Sequence, residues 1–392
     1  VELIYKHIKG DRPIWLIMVL LSLISLLLVY SSIVTLAYRY QDGNTFHYLF
    51  RHGFILAAGL GLMYLAHRVR FTYYSRIAQL ALYISVPLLI ITMLIGTNIN
   101  SAGRWLTIPV INQTFQTSDL AKLALIMFMA RFLAARQDQI KDFRKGFLPM
   151  LVPIFIVCGL ILPADLSTAA LLFVNCIVLM FIGRVSLKHI GLLMIAGVMS
   201  LGMVYMIGKA VPGTFGRLDT WVSRVESFVA PEDVTSGQKY QVEQSKIAIA
   251  KGGIVRLAPG HSVQRNFLPH PYSDFIYSIV LEEYGMFGGI IILLLYLVLL
   301  FRSIKVGMSC PKTFGSLLAI GIGFSLVFQA MVNMAVAVNL VPVTGQTLPM
   351  VSMGGTSIWF TCLAVGIILS VSRGLGKPKQ EQPLNPPLSH AA

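Results

Sequence analysis

Ten apolar stretches, almost free of charge, recur along this chain of 392 residues and dictate what it can become. They run 14–38, 53–65, 77–95, 120–135, 146–162, 167–182, 190–206, 275–301, 314–340 and 355–371. A helix needs about 20 apolar residues to cross a hydrocarbon layer of ~30 Å, so the shorter runs must borrow flanking residues. Only 12% of the chain is charged and 56% is hydrophobic, whereas a soluble domain carries about 25% charge. The expected architecture is an all-α polytopic membrane protein of about ten transmembrane helices. A long extracytoplasmic loop, about 209–274, separates helices 7 and 8. Residues 1–373 read as one transmembrane domain, and the Pro- and Lys-rich 374–392 as a disordered cytoplasmic tail.

Charge orients the bundle. With ten crossings and the N-terminus cytoplasmic, 19 of the 31 Lys and Arg fall in short cytoplasmic segments, among them Arg68, Arg70, Arg144, Lys145, Arg302 and Arg373. The short loops opposite hold Arg39, Arg51, Arg104 and, at a border, Lys122. The other eight lie in the long segment, and long loops count little toward the positive-inside rule. Both termini are therefore expected in the cytoplasm. The net charge of +15 reads as orientation and attraction to anionic lipid, with nucleic acid a poor competitor. Cys158, Cys176, Cys310 and Cys362 lack CxxC spacing, so neither a disulfide framework nor a thiolate metal site is indicated.

Polar residues against this apolar background mark the candidates. Asp11 can cap the first helix, and Pro13 suits its first turn. Before the fourth helix Thr117 or Ser118 could cap, and Asp119 suits the positive helix end. Lys122 lies one turn beyond Asp119 on the same face. That fits either an interfacial ion pair or a cation offered to an extracytoplasmic cavity. Asp165 reads mainly as a helix cap, and 240–251 is compatible with a helix lying at the membrane interface. Glu282 and Glu283, two turns into an apolar run, demand partners or water. Residues 342–357, dense in Pro, Gly and hydroxyls, point to a broken or re-entrant backbone lining a cavity, since irregular backbone cannot face lipid. A plain loop is the simpler alternative. Asp274 stands where the long polar segment meets the eighth run, well placed to act as a general base in a partly desolvated site. Residues alone leave two classes open, a solute transporter and an enzyme acting on a substrate delivered by the membrane.

Four blocks, in a specific order from Asp11 to Arg373, resemble the SEDS family (FtsW, RodA and SpoVE). The first is Asn100-Ser101-Ala102-Gly103-Arg104-Trp105 with Phe115-Gln116-Thr117-Ser118-Asp119 and Lys122. The second is Pro163-Ala164-Asp165-Leu166-Ser167-Thr168. The third is Leu268-Pro269 with Ser273-Asp274-Phe275-Ile276 and Glu282-Glu283-Tyr284-Gly285. The fourth is Pro342-Val343-Thr344-Gly345-Gln346-Thr347-Leu348-Pro349 with Ser352 and Gly354-Gly355-Thr356-Ser357.

The resemblance implies a peptidoglycan glycosyltransferase. Such a protein polymerises lipid II on the outer face of the inner (plasma) membrane, beside a class B penicillin-binding protein that supplies the transpeptidase. It makes Asp274 the essential catalytic carboxylate, cast as the base that takes a proton from the acceptor hydroxyl. Undecaprenyl pyrophosphate leaves, with inversion at the sugar. Fixed cations near that leaving group lower the barrier. Arg104, Lys122, Arg217 and Arg224 are the candidates, with Asp119 beside Lys122 in the substrate-binding set and Gln116 and Ser352 lining the cavity. A divalent cation, Mg or Mn, is implied as an optional helper with no ligands assigned. The Gly103-Arg104-Trp105 block is nearer the division branch than the elongation branch, which brings in other divisome proteins and the division site. Members of the family usually carry Glu at the position of Asp119 and Pro at that of Thr117, and the 270–272 loop also departs from their pattern. A lipid II flippase and a non-catalytic divisome scaffold are the rival readings.

Overall fold

The computed structural model describes residues 9–34, 36, 38, 44–99, 102–108, 113–210, 218–229, 237–256 and 258–375. Arg217 and, from 376 onward, the expected tail lie outside the described residues. In chain order the helices are α1 (Arg12–Ser32), α2 (Thr45–Arg68), α3 (Phe71–Ile95), α4 (Thr117–Ala135), α5 (Leu148–Ile161), α6 (Leu166–Ile182) and α7 (Leu187–Ala210). Then come α8 (Leu218–Val229), α9 (Gly237–Gly252), α10 (Ile276–Ser309), α11 (Thr313–Ala337) and α12 (Thr356–Leu375).

Among the described residues, eight helices are long and apolar enough to cross a membrane: α1, α2, α3, α5 with the π turn that leads into it, α7, α10, α11 and α12. Two more complete the bundle. α6 is apolar but only 17 residues long, and α4 carries Asp119, Lys122 and Arg131 in 19 residues. α4 tolerates those charges because it lies in the interior, with Ala121, Ala124, Leu125, Met129, Ala130 and Leu133 fully buried. Each charge finds a partner there; Arg131 Nη1 donates to the Ser75 carbonyl at 2.5 Å. A charge in lipid would be costly, whereas one turned inward to a partner is not.

The helical class holds, with one addition. Between α3 and α4 lie three short antiparallel strands, β1 (Thr97–Ile99), β2 (Ala102–Ile108) and β3 (Gln113–Gln116), in that spatial order, with Trp105 opposite Gln116. These strands are short and rich in Asn, Gln and Thr, so no period-two apolar pattern announces them. They also correct the expected cap. β3 runs directly into α4, and Gln116 occupies the N-cap position with no side-chain capping bond. The hydroxyls turn elsewhere: Thr117 Oγ1 bonds Thr92 Oγ1 at 3.0 Å, and Ser118 Oγ accepts from Gln116 Nε2 at 3.0 Å. The first helix is capped as expected, Asp11 Oδ1 accepting from the Ile14 amide at 3.3 Å while its carboxylate also receives Arg302.

The long segment folds onto the bundle. Its middle is helical, as expected, but α9 packs against α10 and α11 and does not lie alone at an interface. Ser245 Oγ stands 2.6 Å from Ser278 Oγ and donates to the Ala337 carbonyl at 2.6 Å. A side chain at Gly252 would begin 1.7 Å from the Leu281 carbonyl oxygen, so only glycine permits this approach. Ser245, Ala248 and Gly252 make a face of small residues that periodicity alone did not show to be buried.

α10 is broken at Gly285, where φ is +67°. The backbone groups freed by the break are taken up by the neighbouring segment: Met286 N donates to Gly253 O at 3.0 Å, Phe287 N to Ile254 O at 3.2 Å, and Ala258 N to Glu283 O at 3.0 Å. Irregular backbone inside a membrane protein survives only with such replacements. Glu282 and Glu283 are both fully buried; Glu282 finds partners at both oxygens, Glu283 at Oε1 alone. Glu282 accepts from Ser262 Oγ, from Val263 N at 3.0 Å and from Gln264 N at 3.3 Å. Glu283 accepts from Ser31 Oγ and from Ser262 N at 3.2 Å. The Val263 and Gln264 amides thus close around the Glu282 carboxylate as a nest closes around an anion.

Candidate functional site

Asp274 sits half-buried in the turn that opens α10. Ser273 Oγ donates to its Oδ1 at 2.7 Å, and Asn333 Nδ2 of α11 donates to its backbone carbonyl at 2.9 Å. The non-helical segment between α11 and α12 supports this turn from beneath. Met353 N donates to Tyr272 O at 2.9 Å, and Ser352 Oγ donates to Ser273 O at 2.7 Å while accepting from Leu348 N at 2.8 Å. Ser352 is buried, and its hydroxyl serves the backbone under the carboxylate.

Gly345 fixes what stands beside Asp274. Its φ is +69°, and the point where a side chain would begin lies 3.7 Å from Asp274 Oδ2 and 3.9 Å from Arg224 Nη2. The carboxylate and the guanidinium therefore flank one small space that a Cβ at Gly345 would touch. Arg224 arrives from α8, where its Nη1 donates to the Thr344 carbonyl at 3.3 Å.

A second cationic centre lies in the first two turns of α4. Lys122 Nζ is 2.7 Å from Asp119 Oδ1, with the side chains 17% and 4% exposed. It also donates to Gln329 Oε1 of α11 at 3.3 Å. Asp119 and Lys122 form the ion pair, and with Gln329 they share the wall of a cleft lined also by Ser357, Phe360 and Ile126. Gln116 lies half-buried just before this helix, its backbone amide 3.4 Å from Thr356 Oγ1. Arg104 lies on β2, and the expectation for its side chain falls outside the described residues.

One segment joins the two centres. Along 344–347 the carbonyls of Thr344, Gln346 and Thr347 accept from Arg224, from Asn333 Nδ2 (2.7 Å) and from Gln329 Nε2 (3.0 Å). Asp165 caps α6 through Thr168 N at 3.1 Å and receives Gln346 Nε2 at 3.3 Å, so the cap also ties down this segment. Gln329 was not singled out in the sequence. The signal was there, since an amide one turn before Asn333 in an apolar run has to find partners in the bundle. Among the described residues no three His, Cys, Asp or Glu side chains gather into a cage. The lone carboxylate at the mouth suits only an ion that draws its other ligands from phosphate and water.

The family model described as cell cycle protein, covering FtsW, RodA and SpoVE, matches residues 11–376. The chain belongs to the SEDS (FtsW/RodA/SpoVE) family. Stage V sporulation protein E of Bacillus subtilis is 33% identical over 375 residues, spanning 94% of this chain and 98% of its own length. The probable peptidoglycan glycosyltransferase FtsW of Aliivibrio salmonicida is 31% identical over 366 residues, 92% of this chain and 88% of its own. A chain solved in a peptidoglycan synthase complex that coordinates polymerization and crosslinking superposes with a TM-score of 0.73, at 23% identity, covering 94% of this chain and 99% of that one. The SEDS fold and the apolar helices make this an integral membrane protein.

Proposed function

We propose that this SEDS chain is a peptidoglycan glycosyltransferase that polymerises lipid II into glycan strands during cell division. The observation that carries the reading is the Asp274–Arg224 pair around Gly345, one short segment away from Lys122. Ser273 occupies Oδ1 of Asp274, which leaves Oδ2 turned toward the space beside Arg224. Asp274 Oδ2 takes the proton of the acceptor sugar hydroxyl as that oxygen attacks the anomeric carbon of the donor. The bond from that carbon to the diphosphate oxygen breaks, and its electron pair stays on undecaprenyl pyrophosphate. An α-linked donor thus yields a β-linked strand. Arg224 and Lys122 hold the charge that develops on the leaving group, contacts worth about 3 kcal/mol each in such sites. Pyrophosphate needs little help to leave, so the second carboxylate of ordinary glycosidases has no counterpart in this scheme. Arg104 and Arg217 are further cations for the same substrate, and no step is routed through a metal.

The same reading places the chain in the inner membrane at the division site, with both termini cytoplasmic and Asp274 outside. Its partner is a class B penicillin-binding protein within the divisome. Purified chain and partner, given lipid II, make glycan strands resolvable on a gel, and Asp274→Ala makes none while unfolding at the same temperature. Strands made by Asp274→Ala would overturn the assignment. Vesicle translocation of labelled lipid II that survives this substitution would favour a flippase instead.

A further inference from the structure

We infer that Gln329 is a positioning residue that sets the Lys122 ammonium relative to the Asp274 mouth, an inference that rests on the reaction proposed above. The chemistry of the two contacts fixes which way the amide points. An ammonium only donates and a carbonyl only accepts, so Gln329 must turn Oε1 to Lys122 Nζ (3.3 Å) and Nε2 to Thr347 O (3.0 Å). The reversed amide would leave two donors facing each other and two acceptors facing each other. Gln329 therefore reads the position of the 344–347 segment and transmits it to the lysine.

Asp119 cannot do this alone. It lies three residues before Lys122 on the same helix and holds the ammonium to α4 wherever α4 goes. Gln329 provides the cross-link to α11, whose Asn333, one turn on, holds the carbonyls of Asp274 and Gln346 (2.9 and 2.7 Å). One face of α11 thus props both centres against the same segment. Lys122 has three N–H donors. Asp119 and Gln329 take two, and the third is left for an anionic ligand in the cleft they share. Asn in place of Gln329 would be one methylene too short to span both contacts.

The test uses the full chain with its transpeptidase partner. Gln329→Met keeps the length and removes the amide. It lowers kcat/KM for lipid II about tenfold in the unaltered background and no more than about twofold in a Lys122→Met background, because residues acting through one group are not additive. Acetylation of Lys122, followed by mass spectrometry on the detergent-solubilised chain, supplies a readout that needs no activity. Lys122 is modified several-fold faster in Gln329→Met and more slowly than in the unaltered protein in Gln329→Glu, where a second carboxylate holds it. Losses that multiply across the two backgrounds, or equal acetylation in all three proteins, would overturn the inference. An unaltered chain that makes no glycan counts against the polymerase reading, and the acetylation rates still decide the role of Gln329.

Discussion

Asp274 gains its setting from residues that carry no charge. Ser273, Asn333 and Ser352 fix its turn, and Gly345 leaves room beside it. Gly345→Val tests the last point: a β-branched residue at φ +69° is strained, and its Cβ lands between Asp274 and Arg224. Polymerisation should fall at least a hundredfold, while thermal unfolding of the detergent-solubilised chain reports a cost of about 2 kcal/mol. At this scale the sequence was legible where charge broke an apolar background, which is how Asp274, Lys122 and Glu282 stand out. It was silent about neutral amides and carbonyls. Nothing in a string of letters tells that Thr344 faces Arg224, because that contact spans 120 positions and depends on where α8 comes to rest.

Among the elements, α9 and the broken α10 depend on close backbone approach. Gly252→Ala would press a methyl into the Leu281 carbonyl, so α9 should lift from α10. Faster proteolysis within 237–252, compared with the unaltered chain, checks this. Glu282→Ala removes the acceptor for Ser262 Oγ and for the Val263 and Gln264 amides, leaving the donors of buried Ser262 and Gln264 unmet. A destabilisation of about 3 kcal/mol is expected, read as a lowered unfolding temperature. Helix existence was legible from apolar runs, and the need of Glu282 and Glu283 for partners from their place within one. The three strands and the true start of α4 were not, because short polar strands pair through backbone groups that leave no mark on side-chain pattern.

For the whole molecule, run length and charge bias foretold a bundle of about ten spans, with α6 apolar but short and α4 admitted by its burial despite three charges. Sidedness can be checked cleanly, since Cys158, Cys176, Cys310 and Cys362 are all buried and should stay quiet toward thiol reagents. A cysteine placed at Asp274 should react with a membrane-impermeant maleimide on intact cells, and one placed at Arg144 only after lysis. The reverse pattern would place the site on the wrong side for a periplasmic or external polymer.

The break at Gly285 divides the longest helix unequally. Residues 286–309 alone reach about 36 Å at 1.5 Å per residue, enough to traverse the oily layer of ~30 Å. The turns that precede the break, and Asp274 before them, are surplus to that crossing. In the reaction proposed above, the sugars of the lipid substrate meet Asp274 beyond that crossing, and their isoprenoid anchors stay within the oily layer.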